Sequence, residues 1–292
     1  MARRPTIRSI TVATDLQADS RAVMDMAGAI SRSAPAAVHL VHVMEDGGKV
    51  RGPGGDAVAE QQAADSLRAL EKQADALRAA GCNVEATYRA KTGPAHEKIL
   101  ERITTTESDL VIMGSHARQG HGHRLGSTAD RVLRTSPVPC LIVRGKVQVP
   151  VKRVAALVDF SDPSRKAVRV LLDQVQAFTG EELDVEVHLV HVGDGKLRPQ
   201  DPNLELFLQG QLDEELAWAK QFDPGVKLLA GRILWGDHPV DAVAEAAAKG
   251  GYDLVGAGAH GRGPIVRMLV GSVAMGLCQT APCPVLVVPP PA

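Results

Sequence analysis

The chain has 292 residues, 45% of them hydrophobic and 23% charged, with a formal net charge of −1 at pH 7. That length accommodates about two domains of ordinary size, each able to bury a core, and the composition is that of a globular protein. Aromatics at 3%, no basic run and no apolar stretch of bilayer length exclude nucleic acid and membrane as expected partners.

In chain order, residues 7–13 form an apolar run that leads to Asp15, and a helical pattern covers 20–31. Residues 37–43 read as a second strand, and 45–56, with five glycines and a proline, as a mobile loop. A long Ala/Leu helix is expected over 57–80, a third strand over 83–89, and a helix over 95–104 introduced by Gly93-Pro94. Residues 110–113 read as a fourth strand, 128–133 lie in the last helix of this half, and 139–143 form a fifth strand. After a short connector, 145–151, the order repeats. Strands are expected at 153–158, 185–192, 226–233, 253–256 and 284–288, and helices at 164–178, 204–222, 239–249 and 273–279. Nearly continuous Val/Leu/Ile strands separated by helices predict parallel sheets covered on both faces, with right-handed crossovers. The expected fold class is α/β: two repeated, doubly wound, five-stranded parallel-sheet domains, at 1–146 and 151–292, packed as a pseudo-two-fold pair.

The halves are copies. Val38-His39-Leu40-Val41-His42-Val43 returns as Val187-His188-Leu189-Val190-His191-Val192, Asp15 as Asp159, and Gly114-Ser115-His116 as Gly258-Ala259-His260. Offsets of about half the chain mark a duplicated domain rather than a short-period solenoid. Charge divides unevenly: residues 1–150 carry 20 Lys/Arg against 16 Asp/Glu, residues 151–292 carry 13 against 18. Opposite signs would suit packing of the halves on each other or on a second chain; drift of solvated surface charge accounts for them equally well. No signal peptide is expected from Met1-Ala2-Arg3-Arg4-Pro5, and Cys82, Cys140, Cys278 and Cys283 form no CxxC pair or metal spacing. A reduced, cytoplasmic setting is expected.

Ligands of a doubly wound sheet bind beyond the carboxyl ends of the strands, where the winding reverses. In the second half the fourth strand runs into Gly256-Ala257-Gly258-Ala259-His260-Gly261-Arg262-Gly263, and after a loop Gly271-Ser272-Val273 opens a helix. Glycines permit close backbone approach to a phosphate and positive φ, and successive N–H groups form an anion nest. Ser272 stands at a helix N-terminus, where unpaired N–H groups and the dipole favour phosphate; the same serine would also serve as an ordinary N-cap. Arg262 adds positive charge, and Asp159 is placed to accept hydrogen bonds from a ribose or base. Gly256-x-Gly258-x-x-Gly261 also matches a dinucleotide fingerprint. That fingerprint belongs on a first βα turn with an acid closing the next strand, whereas here only Val288-Pro289-Pro290-Pro291-Ala292 follows. No Walker A sequence is present.

These residues carry a resemblance. Gly258-x2-Gly261-x9-Gly271-Ser272, with Asp159-Phe160-Ser161-Asp162 upstream and Ala281-Pro282-Cys283-Pro284-Val285-Leu286-Val287-Val288 downstream, resembles the tandem, ATP-binding branch of the universal stress protein family, over both halves. The resemblance implies domains of the adenine nucleotide alpha hydrolase-like kind, dimer-like packing through the last strands, and ATP, with or without Mg²⁺, in the cleft. It implies Ala257, Gly258, Gly261, Gly271, Ser272 and Val273 around phosphates and ribose, with His260, Arg262 and Gly263 in the same loop, and Asp159 and Val192 flanking the adenosine. The matching first-half set is Asp15, Val43, Met113, Gly114, His116, Gly126 and Ser127. There Ala117 replaces the second glycine and the gap to Gly126-Ser127 is one residue shorter. A left-handed alanine would cost roughly 1–2 kcal/mol, so a weak or lost first site is expected.

His116, His121 and His123 invite a zinc reading, but no cysteine or carboxylate in that loop completes four ligands, so zinc is not expected. His39 and His188 lie inside apolar strands and read as satisfied buried or edge histidines; His42 and His191 end those strands on the cleft side, where a structural role is expected ahead of a ligand contact. No nucleophile–base–acid set stands out, so no catalytic residue and no metal ligand is assigned. The expected function is ATP-linked stress sensing or signalling through a change of shape or partner choice. Residues 45–56 and 193–202 would be its moving parts, and a homodimer and a signalling protein its further partners. The alternatives are a nucleotide-free stress adaptor and a slow ATPase with Mg²⁺ carried in by the nucleotide.

Overall fold

The computed structural model describes residues 7–17, 20–44, 55–90, 93–115, 125–145, 147–179, 184–197, 201, 203–222, 225–261 and 270–290. The first half runs β1 (Ser9–Ala13), α1 (Ser20–Ser33), β2 (Ala37–Val43), α2 (Gly55–Ala79), β3 (Val84–Ala90), α3 (Ala95–Thr105), β4 (Leu110–Gly114), α4 (Ser127–Thr135) and β5 (Cys140–Val143). The second repeats it with β6 (Arg153–Leu157), α5 (Asp162–Thr179), β7 (Glu186–Asp194), α6 (Leu204–Lys220), β8 (Leu228–Gly236), α7 (Pro239–Ala248), β9 (Leu254–Gly258), α8 (Ser272–Thr280) and β10 (Val285–Val288).

Each half is the predicted doubly wound, parallel, five-stranded sheet, and the two are fused. The strand order is β3-β2-β1-β4-β5-β10-β9-β6-β7-β8, one ten-stranded sheet. At the seam β10 pairs antiparallel with β5, Val285 opposite Ile142, Leu286 opposite Leu141 and Val287 opposite Cys140. Both seam strands are apolar and buried along their whole length, so an unpaired edge there would expose a template for aggregation. Pairing them removes both edges.

Helices cover both faces, and each core crosses the seam. One layer holds α1, α2, α5 and α6 over Met26, Leu40, Leu70, Leu171, Leu189 and Leu212. The other holds α3, α4, α7 and α8 over Ile103, Val132, Ile142, Val255 and Leu277. Because strands are parallel within each half and antiparallel at the seam, the carboxyl ends of the two halves lie on opposite edges of the sheet.

Two expected mobile loops change. Residues 45–54 lie outside the described residues, and Gly55 and Asp56 already belong to α2. Of 193–202, Gly193 and Asp194 are the last residues of β7, paired with Trp235 and Gly236. They are ladder rather than loop, because β8 also runs further than expected; residues 198–200 and 202 lie outside the described residues.

The connector is part of the core. Val151 is buried, and Val147 and Val149 pack against the same cluster. Gly145 has φ 63°, and a Cβ there would collide with the Pro282 carbonyl, so the chain leaves the first half in contact with the turn before β10. Gly145→Ala should therefore combine a left-handed penalty with overpacking and lower stability by about 2–4 kcal/mol. Urea denaturation checks this.

The inner histidines differ from expectation in one copy. His188 Nδ1 lies 3.3 Å from the Tyr252 hydroxyl. Asp109 and Asp253 each accept two N–H bonds from the start of the first strand of their half, which aligns Ser108 with Tyr252. His39, 7% exposed, thus has Ser108 where its copy has a tyrosine, and its Nδ1 has no hydrogen-bond partner among the described residues. Burial, then the nearby Arg102 or Arg232, pushes His39 and His188 below the ordinary 6.5. The folded state keeps both neutral. Below pH 6.5 the unfolded chain takes up protons that the folded chain does not, so stability falls with pH until the lowered values are passed. Between pH 7.5 and 5.5, chemical denaturation of His39→Leu should lose up to about 1.4 kcal/mol less than wild type does.

Candidate functional site

The winding reverses between β6 and β9, which are neighbours with Ala156 opposite Gly256. The second-half crevice therefore opens where β6 runs into Asp159 and β9 into Gly261. These two residues meet: a Cβ built on Gly261 would strike the Asp159 carboxylate. Neither Gly258, Gly261 nor Gly271 has a left-handed backbone. The expectation of positive φ is corrected on this point, since the glycine is required by close approach rather than by dihedral angle. Gly256 belongs to the core, because a Cβ there would collide with Leu171 of α5.

The turn after β6 is held under strain. Asp159 Oδ1 accepts from the Ser161 amide at 3.1 Å and the Ser161 hydroxyl at 2.5 Å. Phe160 between them sits at φ 63°, a region costly for a bulky residue. Its ring lies 4.3 Å from that of His191, whose Nδ1 is 2.9 Å from the Val158 carbonyl oxygen. In the first half Asp15 accepts from the Gln17 amide and Ser20 hydroxyl, Leu16 takes φ 63°, and His42 Nδ1 is 2.8 Å from the Thr14 carbonyl oxygen. His42 and His191 thus support the strand-end turn, in line with the structural role expected for them.

Beyond β9 the loop is pinned at both ends. The Ala259 amide donates to the Val288 carbonyl at 2.8 Å, and the Gly271 amide to the Ala259 carbonyl at 2.7 Å. Gly126 donates to Ser115 in the same way at 2.9 Å. Gly271 and Gly126 are the N-caps of α8 and α4, and neither cap makes a side-chain hydrogen bond. Ser272 and Ser127 are therefore the first helical residues rather than caps, beside N–H groups that lack intrahelical acceptors. Ala257 and Met113 are buried in the core, so either would meet a ligand through its backbone. Val192 and Val43 end or approach the end of their strands and are partly buried. His260 is half-buried beside Gly261. Arg262, Gly263, His116, Ala117, His121 and His123 lie outside the described residues.

Sequence reasoning passed over a cavity of about 240 Å³ in the first half, lined by Gly93, Pro94, Ala95, His96, Ser127, Thr128 and Arg131. It joins the starts of α3 and α4. Among the described members of the first-half set, Ser127 lines it and Asp15, Val43 and Met113 do not. Gly93-Pro94 signalled the helix start, and nothing in the sequence signalled the pairing of the two helix ends.

The profile of the universal stress protein family matches residues 6–144 and again 150–289. The chain belongs to this family. A universal stress protein of Synechocystis is 30% identical over 183 residues, covering 61% of this chain and 57% of that protein. One of Mycobacterium bovis is 27% identical over 200 residues, covering 63% and 62%. The chain thus spans about three fifths of the lengths of these relatives. Universal stress protein A homolog 2 of Coxiella burnetii is 30% identical over 141 residues, 48% of this chain and 96% of its own, so it matches a single half. A universal stress protein from Archaeoglobus fulgidus shares the whole fold, with TM-score 0.72, 21% identity and coverage of 97% and 99%. No helix among the described residues is long and apolar enough to cross a membrane.

The close approach at Gly261 makes a definite mutational expectation. Gly261→Ala should destabilise the protein by about 1–3 kcal/mol, and in an Asp159→Ala background it should cost at least about 1 kcal/mol less. A double-mutant cycle in urea measures the difference; additive costs would mean that the two residues do not meet.

Proposed function

We propose that the chain holds an adenine nucleotide, ATP in the first instance, in the second-half crevice and acts as a stress sensor or signalling protein. The observation that carries this reading is the meeting of Asp159 and Gly261 across the switch point, on the same edge as the start of α8. A carboxylate able to accept hydrogen bonds from ribose or base thus packs directly against the glycine loop that leaves β9. The α8 N-terminus offers amides and a dipole suited to phosphate. Gly258, Gly261, Gly271, Ser272 and Val273 would hold the phosphates and ribose, and Asp159 and Val192 the adenosine. Mg²⁺ would arrive on the nucleotide. ATP supplies a charged, bulky ligand whose occupancy biases one protein state over another; no residue is assigned to hydrolysis.

The steric argument extends to the weaker half. Ala117 stands in the sequence where the copy has Gly261, and the loop to Gly126 is one residue shorter, so one nucleotide per chain is the proposed stoichiometry. A reduced, cytoplasmic setting fits the four free, buried cysteines. Burial pushes the Cys140 and Cys283 thiols up to about 12, leaving them as protonated core groups.

The test is to purify the protein without added nucleotide, unfold it, and quantify what is released by chromatography and mass spectrometry. One ATP per chain, abolished by Gly271→Trp with the fold intact by circular dichroism, is expected. Two per chain would reinstate the first-half site. None, together with a flat titration with Mg-ATP, would overturn nucleotide binding in favour of the adaptor.

A further inference from the structure

The two halves differ at the strand pair beside the crevice. Among the described residues the β2–β3 ladder of the first half runs as far as Val43 opposite Ala90. In the second it continues past the equivalent pair, Val192 opposite Leu234, to Gly193 opposite Trp235 and Asp194 opposite Gly236. This overhang stands on the carboxyl edge, next to Val192. It is closely packed: a Cβ on Gly193 would lie 2.7 and 2.9 Å from the Trp235 ring and 3.2 Å from Leu208 of α6. Gly193 therefore has room for hydrogen alone, with the Trp235 ring and Leu208 of α6 both set against it.

Contacts continue from there toward the switch point. His191, on the same face as Gly193, carries the Phe160 ring and approaches the Val158 carbonyl. Phe160 is the strained residue beside Asp159, and Asp159 meets Gly261. On the other side α6 is fixed to α5 by Glu215, 3% exposed, which accepts from Arg165 Nε at 2.8 and 2.9 Å.

We propose that Trp235 is a positioning residue for the base end of the second-half site, holding the Val192–Gly193 backbone in place by clamping it between β8 and α6. The proposal rests on the nucleotide reading given above. It accounts for the forced glycine at 193, where the repeat places Met44 in the first half. A large rigid ring fixes a backbone at small cost in side-chain entropy, and a site held rigid before binding loses less affinity to ordering.

The test uses the full chain and calorimetric titration with Mg-ATP. Trp235→Ala should weaken binding about tenfold or more, while Trp235→Phe, which keeps a ring against Gly193, should stay within about threefold of wild type. Leu212→Ala supplies the structural control. Leu212 packs on Gly231 one turn further along α6, so its truncation should lower the melting temperature yet leave the Kd unchanged. In a Trp218→Phe background, where Trp235 is the remaining tryptophan, Mg-ATP should change the emission. If Trp235→Ala does not fold, Trp235→Leu replaces it with the same expectation. Wild-type affinity in the Trp235 variants, or an equal loss in Leu212→Ala, overturns the positioning role while leaving the nucleotide reading in place. A flat wild-type titration removes the nucleotide reading and this role with it.

Discussion

Everything in this molecule is arranged around the antiparallel ladder between β5 and β10. Within each half β3 or β8 forms the outer edge, and the last strand, short, wholly apolar and buried, lies at the other side. Closing it on its own copy, Leu286 opposite Leu141, turns two small sheets into one and makes both helical layers continuous. Because the partner is covalently attached, loop closure replaces bimolecular association, and the entropy of assembly is reduced accordingly. The rest follows geometrically. α1 lies against α5, the connector runs under the turn before β10 with space for no side chain at Gly145, and the two crevices face away from each other.

Duplication has preserved the scaffold of the crevice more strictly than its lining. Both halves keep an aspartate at the end of the first strand, a left-handed bulky residue after it, a histidine ring nitrogen at the strand-end carbonyl, and a glycine amide closing the long loop. Such strain persists only where the surroundings over-determine it, and here ring packing on His191 and a carboxylate-capped turn do so. The differences lie in the residues at matching positions: alanine for glycine after His116, and Ser108 for Tyr252.

Much of the fold was legible before any coordinates. Period-free apolar strands alternating with helices leave a parallel, two-sided sheet as the solution, and the internal repeat divides it. The Gly258–Ser272 spacing marked a loop and helix start at the right edge. What misled was attributing a glycine to dihedral need and a serine to capping. Gly261 has an ordinary φ and Gly271 occupies the cap. Spacing shows that a glycine is required somewhere in a turn; whether φ or a neighbour requires it depends on a residue far away in sequence, here Asp159.

Local composition by itself therefore determined the elements, their order, the duplication and the family, because hydrophobic period, turn residues and glycine spacing are properties of short windows. Tertiary structure alone decided the rest: the register that sets Leu286 opposite Leu141 at the seam, that Asp159 touches Gly261, that Gly193 belongs to a strand pressed by Trp235, and that His39 lacks the partner of its copy. Those are meetings between residues far apart in the chain, set by strand register and helix packing, and no window of sequence contains both partners.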